Sequence, residues 1–147
     1  MCLIVDANRA HVLFGQPGSD VAAAVWKWLR KDGILIYGGQ LAAELGRTAG
    51  ALRLLAELRR SGRAVKESDV DIAREEERIK ASGECASNDQ HVIALACVSG
   101  ARVLYTEDKT LMKDFVNTRL LRPKGKIYRR AQQRRLLAHA RGCRANR

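Results

Sequence analysis

An α/β fold, built as a three-layer α/β/α sandwich around a central, mostly parallel sheet, is what this sequence predicts, and three observations predict it. Short continuous apolar runs rich in β-branched residues (Cys2-Leu3-Ile4-Val5, Ile34-Leu35-Ile36-Tyr37, and Val103-Leu104-Tyr105 with its flanking Arg102 and Thr106) lack the alternation of a half-exposed strand, as strands buried on both faces do. Longer stretches with apolar residues at helical spacing lie between them. The two kinds of segment alternate over 147 residues, enough for one ordinary domain with a core of its own.

The first strand ends at Asp6. Pro17-Gly18-Ser19 punctuates the chain, and Ser19 or Asp20 is placed to cap a helix that runs to about Lys31, buries Val21, Val25, Trp28 and Leu29, and closes at Asp32-Gly33. Trp26 and Trp28 stand two apart, so one of them is expected to be exposed and open to a protein interface. After the second strand, Gly38-Gly39 leads into a helical stretch over about 40–60 with the stripe Leu41, Leu45, Ala49, Leu52 and Leu55; Gly46 and Gly50 mark where it would split in two. A charged helix over 68–81, with only Val70, Ile72 and Ile79 apolar, belongs on the outside. Ser87-Asn88-Asp89 starts, and Gly100 stops, an apolar helix over 90–99. The third strand follows, then a helix from Asp108 to about Val116, a last short strand at Lys126-Ile127-Tyr128, and a terminal helix over 131–140.

No apolar stretch approaches the roughly 18 residues that a membrane span needs, so no membrane partner and a cytoplasmic location are expected. Cys2, Cys85, Cys97 and Cys143 are scattered without a C-x-x-C pair and read as reduced thiols, Cys2 and Cys97 in the core, Cys85 and Cys143 in polar surroundings. The formal charge of +11 is concentrated. Residues 119–147 hold eleven Lys and Arg and no acid; removing those eleven from the 27 basic residues leaves 16 against 16 acidic in the body. A tail of that density attracts a polyanion, and nucleic acid is favoured over a solubilising role or anionic lipid.

In an open parallel sheet, ligands bind outside the carboxyl ends of the strands. Asp6 directly follows the first strand and Asp108 follows the third after Glu107, so the two carboxylates converge if those strands are neighbours. Asp89 in its helix's first turn and Glu44 beside its helix's apolar stripe are placed to reach the same edge. Carboxylates so crowded repel one another unless a cation joins them. Hard cations such as Mg²⁺ or Mn²⁺, held by carboxylates, supply the activated water and the stabilised leaving oxygen that phosphodiester hydrolysis needs. Singly, each acid has an ordinary reading: Asp89 and Asp108 as helix starts, Asp6 as an Asx-turn, Glu44 as the partner of Arg47 or Arg53. His11 and His139 have no recognisable ligand spacing, and His91, though near Asp89 in sequence, is expected to point elsewhere from its first-turn offset. Asp114 is expected to face solvent.

These acids, in this order, resemble the PIN-domain family, in particular its toxin-like VapC branch. The matching segments are Leu3-Ile4-Val5-Asp6-Ala7-Asn8, Leu41-Ala42-Ala43-Glu44-Leu45, Ser87-Asn88-Asp89-Gln90-His91-Val92-Ile93-Ala94-Leu95-Ala96, Ser99-Gly100-Ala101-Arg102-Val103-Leu104 and Thr106-Glu107-Asp108. The resemblance covers residues 1 to about 128, which reads as a PIN-like nuclease domain (1–128), with 129–147 a basic C-terminal helix or tail. The resemblance implies a metal-dependent endoribonuclease in which Asp6, Asp89 and Asp108 bind Mg²⁺ or Mn²⁺, Glu44 completes the cluster, and Asn8 and Thr106 support the acids. It further implies a role as the toxin of a toxin–antitoxin pair, with an antitoxin protein and a homodimer as partners. RNA would be drawn in by Arg122, Lys124, Lys126, Arg129, Arg130, Arg134 and Arg135. A noncatalytic RNA-binding or scaffolding protein of the same fold would be expected to lack one or more of the four acids, all of which are present. A flap-type DNA nuclease stays open as a rival. A phosphatase is disfavoured because Asn8 stands where a D-x-D motif would carry its second acid.

Overall fold

The computed structural model describes residues 2–14, 20–48, 50–129 and 143, with backbone alone at 20 and 21. Pro17-Gly18-Ser19, Ala49, the terminal helix over 131–140, and Arg130, Arg134 and Arg135 lie outside the described residues, as does the side chain of Val21.

Five strands form one sheet: β1 (Cys2–Val5), β2 (Ile34–Tyr37), β3 (Ala64–Lys66), β4 (Val103–Tyr105) and β5 (Lys126–Tyr128). Seven described helices flank it: α1 (Ala7–Phe14), α2 (Asp20–Lys31), α3 (Gly39–Gly46), α4 (Ala51–Arg60), α5 (Asp69–Ser82), α6 (Gln90–Ser99) and α7 (Lys109–Phe115). The sheet order is β3-β2-β1-β4-β5, and every pairing is parallel. This is the three-layer α/β/α arrangement expected of strands whose residues are apolar on both faces; β1 and β2 are buried at every position.

From β1 the chain moves outward through β2 to β3, then returns across β1 to lay down β4 and β5 on the other side. The connections leaving β1 and β4 therefore diverge, and the crevice between their carboxyl ends is the switch point where α/β sheets bind ligands. The register Val5↔Tyr105 brings those two ends level.

The long helical stretch does divide, α3 ending at Gly46 and α4 starting at Ala51, with Leu41, Leu45 and Leu55 buried. Leu52, expected on the same stripe, is 66% exposed, because beyond the break the buried face of α4 is set by Ala51, Leu55 and Leu58. Ser68 caps α5 by accepting a hydrogen bond from the Asp71 N–H at 3.3 Å, and Ile72 and Ile79 anchor the helix while Val70 stays exposed. Gly100 ends α6 with a φ of 80°, a left-handed conformation that costs glycine little.

Three expectations need correction. Neither tryptophan is left in solvent: Trp26 is buried, its indole N–H donating to the Leu13 carbonyl, and Trp28 is partly buried against the core, lying where a Cβ on Gly33 would stand. Cys2 and Cys143 are joined in a disulfide with a Cα separation of 5.9 Å, so they are not free thiols, and Cys143 is buried. Cys85 and Cys97 remain free, both partly buried. Asp114 does not face solvent; it is buried at 2% exposure. Its carboxylate accepts from the N–H groups of Ala86 (3.0 Å) and Ser87 (2.8 Å) and from the Cys85 thiol (3.3 Å), so it holds the loop that feeds α6. Burial pushes the Asp114 carboxyl up, but the hydrogen bonds from Ala86, Ser87 and Cys85 together outweigh it and hold the carboxyl below its usual range.

No helix among the described residues is long and apolar enough to cross a membrane.

Candidate active site

Asp6 and Asp108 leave adjacent parallel strands, and Thr106 joins them. The buried Asp6 carries on from β1, and its N–H still donates to the Tyr105 carbonyl at 3.0 Å, so the strand pairing extends to the residue that bears the acid. The Asp6 carbonyl accepts from the N–H groups of Arg9 and Ala10, which starts α1. Thr106 is wholly buried; its hydroxyl donates to Asp6 Oδ2 at 2.7 Å and accepts from the Asp108 N–H at 3.0 Å. One hydroxyl thereby fixes the carboxylate of β1 and the backbone turn that follows β4. Asn8 Nδ2 stands 3.5 Å from the same oxygen, at the limit of a hydrogen bond, so its support is weaker than that of Thr106.

The half-buried Asp108 caps α7, its Oδ1 accepting from the N–H groups of Thr110 (2.9 Å) and Leu111 (3.1 Å). Asp89 occupies the N-cap position of α6 but makes no side-chain capping bond, so its carboxylate is not spent on the helix. Glu44, on α3, accepts from Gln40 Nε2 at 3.1 Å. The ordinary reading thus accounts for Asp108 in part and leaves Asp89 unexplained.

The charges of Glu44 and Asp108 act on both Asp6 and Asp89, and that of Asp6 acts on Asp89. Burial pushes the Asp6 carboxyl up, opposed by the Thr106 hydroxyl and the Ala7 N–H, and the negative charges of Glu44 and Asp108 add to the rise. Burial likewise raises Asp89, followed by the charge of Asp6, with His91 opposing and Asp108 and Glu44 adding.

His91, expected to point elsewhere, belongs to this group. It is 2% exposed, its Nε2 lies 3.6 Å from Glu44 Oε2, and neither ring nitrogen has a hydrogen-bond partner among the described residues. Helix α6 is buried from His91 through Ala96, so it offers no polar side to which the ring could turn.

No family model, curated protein or solved structure matches the chain.

The donor set suits a hard divalent cation: carboxylate oxygens, two of them raised by burial and neighbouring negative charge, beside a buried imidazole. As they stand, no three His, Cys, Asp or Glu side chains among the described residues are gathered into a metal-binding group. Donor type fits a metal.

The basic residues divide between the two edges of the sheet. Because β5 is parallel to β4 and Lys126 pairs with Val103, Arg122, Lys124 and Lys126 lie toward the amino ends of the strands, opposite the acids. Arg129, just past Tyr128, lies at the acid edge, where its guanidinium is 4.0 Å from Glu107.

Proposed function

We propose that this chain is a metal-dependent endoribonuclease, built like the PIN domains that its acidic motifs resemble, which hydrolyses RNA phosphodiester bonds with Mg²⁺ or Mn²⁺. The observation that carries the reading is the convergence of Asp6 and Asp108 at the switch point of the sheet, tied through Thr106, with Glu44 adding charge to Asp6 and Asp89 within reach of the charges of all three. Asp6, Asp89 and Asp108 would hold the metal, with Glu44 completing the set. The bound cation supplies charge stabilisation at the scissile phosphate and lowers the pKa of water. Thr106 opposes the rise that burial imposes on Asp6 by donating to it, the Asp108 cap fixes that carboxylate's backbone, and Gln40 and His91 restrain Glu44.

Basic residues at both edges of the sheet support RNA as the polyanion. An antitoxin partner, a homodimer and the toxin role rest on the resemblance alone. A noncatalytic RNA-binding protein would have no need of Asp89, a carboxylate raised by burial and neighbouring charge and unused as a cap. The flap-type DNA nuclease is separated by substrate.

Calorimetric titration of Mn²⁺ into wild type and Asp89→Asn, with cleavage assays on RNA, DNA and a phosphomonoester, tests the reading. Saturable Mn²⁺ binding that the substitution weakens, with cleavage of RNA alone, is expected. Equal binding by both proteins, or metal-free cleavage, would sink it.

A further inference from the structure

On the opposite edge of the sheet, a cavity of about 380 Å³ is lined by Arg78, Arg102, Arg119 and Arg122 together with Glu75, Cys97 and Leu120. Four guanidinium groups around one cavity repel each other, and the lining offers a single carboxylate. That carboxylate is engaged: Glu75 Oε2 lies 2.9 Å from both Nε and Nη2 of Arg78. Arg119 Nη1 reaches Glu84 at 3.6 Å, a loose pair with side chains largely in solvent.

Arg102 and Arg122 have no carboxylate partner among the described residues. Arg102 is held instead by backbone carbonyls: Nε donates to Pro123 (2.9 Å), Nη1 to Ala96 (2.7 Å) and Ala101 (2.8 Å), and Nη2 to Arg122 (3.2 Å). These bonds immobilise the plane of a half-buried cation without neutralising it, in the same turn that carries Arg122. Arg122, which lines the same cavity, donates Nε to the Thr118 carbonyl at 3.0 Å, and its two terminal nitrogens make no hydrogen bond to the described residues. Arg102 keeps one N–H and its fixed positive charge for a ligand, and the terminal N–H groups of Arg122 beside it supply the donor pair that a tetrahedral oxyanion accepts.

We propose that this cavity is a binding site for a phosphate group, with Arg102 as its rigid floor and Arg122 and Arg119 as the groups that close on the ligand. The phosphate comes either from an RNA backbone running past the amino ends of the strands or from a free phosphate or mononucleotide. The site does not depend on the nuclease reading, since it lies across the sheet from the acids and needs no chemistry there.

The test titrates inorganic phosphate into the full chain in EDTA and follows the arginine Nε–H resonances by NMR, in wild type, Arg122→Gln and Arg119→Gln. Arg102 is left unchanged because it carries four backbone bonds. Saturable shifts at Arg102 and Arg122, with affinity about tenfold weaker in Arg122→Gln, are expected. In a second arm, RNA binding is measured against salt in EDTA. A log–log slope smaller by about 1 in Arg122→Gln assigns the phosphate to RNA, and an unchanged slope with weakened phosphate binding assigns it to a free phosphate or nucleotide. Phosphate shifts that never saturate, or equal affinity in wild type and both variants, would overturn the proposal.

Discussion

Thr106→Val removes the one hydroxyl that links the two central acids while keeping the side chain's shape. The lost bond is to a carboxylate at 2.7 Å from a wholly buried donor, and hydrogen bonds to charged groups contribute about 1.5–3 kcal/mol. The Asp108 N–H also loses its acceptor; because Asp108 is half-buried and water can reach it, that loss costs about 1 kcal/mol. The expected destabilisation is therefore about 2.5–4 kcal/mol. Thr106→Ser keeps the hydroxyl and loses one methyl, at about 1 kcal/mol. Urea unfolding of the three proteins at neutral pH in EDTA reads the difference directly. Valine and serine variants equal within experimental error would refute the bridging role of Thr106, whatever their effect on activity.

Raised carboxyls at Asp6 and Asp89 mean that the folded chain holds protons there more tightly than the unfolded one. Their contribution is fully present below the unfolded value of about 3.9 and is lost as pH rises through the folded values. In EDTA, Asp6→Asn should therefore gain on wild type as pH rises from 4 to 7, and a pH-independent difference in unfolding free energy would contradict the assignment. Asp114 has the opposite sign: its lowered carboxyl contributes stability above about 3.9 that is lost as pH falls through the folded value, so the deficit of Asp114→Asn should shrink in acid. A deficit that grows below pH 4 would be the wrong outcome. The Cys2–Cys143 bond closes nearly the whole chain, with a sequence separation of 141, and loop entropy alone assigns it up to about 5 kcal/mol. Thermal unfolding with and without dithiothreitol, and of Cys143→Ser, checks this; midpoints that ignore the reductant would remove the bond from the stability account.

The strands buried on both faces were readable because burial leaves a continuous apolar run, and β1, β2 and β4 fall where such runs predict them. Strand β3 is three residues at the sheet's edge, Ala-Val-Lys, too short and too mixed to carry a pattern. Helix α1 escaped because no cap or punctuation separates it from Asp6, although Ala10, Leu13 and Phe14 do have helical spacing. The convergence of Asp6 and Asp108 depended only on whether β1 and β4 are neighbours, which chain order leaves open and the sheet order decides. His91 and Asp114 were misplaced for a common reason. A polar residue on an amphipathic helix is read as facing water, whereas α6 has almost no water-facing side, and Asp114 is drawn inward by loop N–H groups some 28 residues away. Two cysteines at opposite ends of the chain give no spacing from which to infer a bond.

Cleavage of a mixed single-stranded RNA by wild type and by Asp108→Asn, each with Mn²⁺, Mg²⁺ or EDTA, tests the central claim most directly. Asparagine also caps helices well, so the variant should fold while losing a metal-binding charge. Metal-dependent cleavage by wild type that falls at least about 100-fold in Asp108→Asn is the expected result, a loss worth about 2.7 kcal/mol in the barrier. Cleavage that survives both EDTA and the substitution, or well-folded wild type that binds RNA and never cuts it with either metal, would contradict the assignment of these carboxylates to metal-dependent hydrolysis.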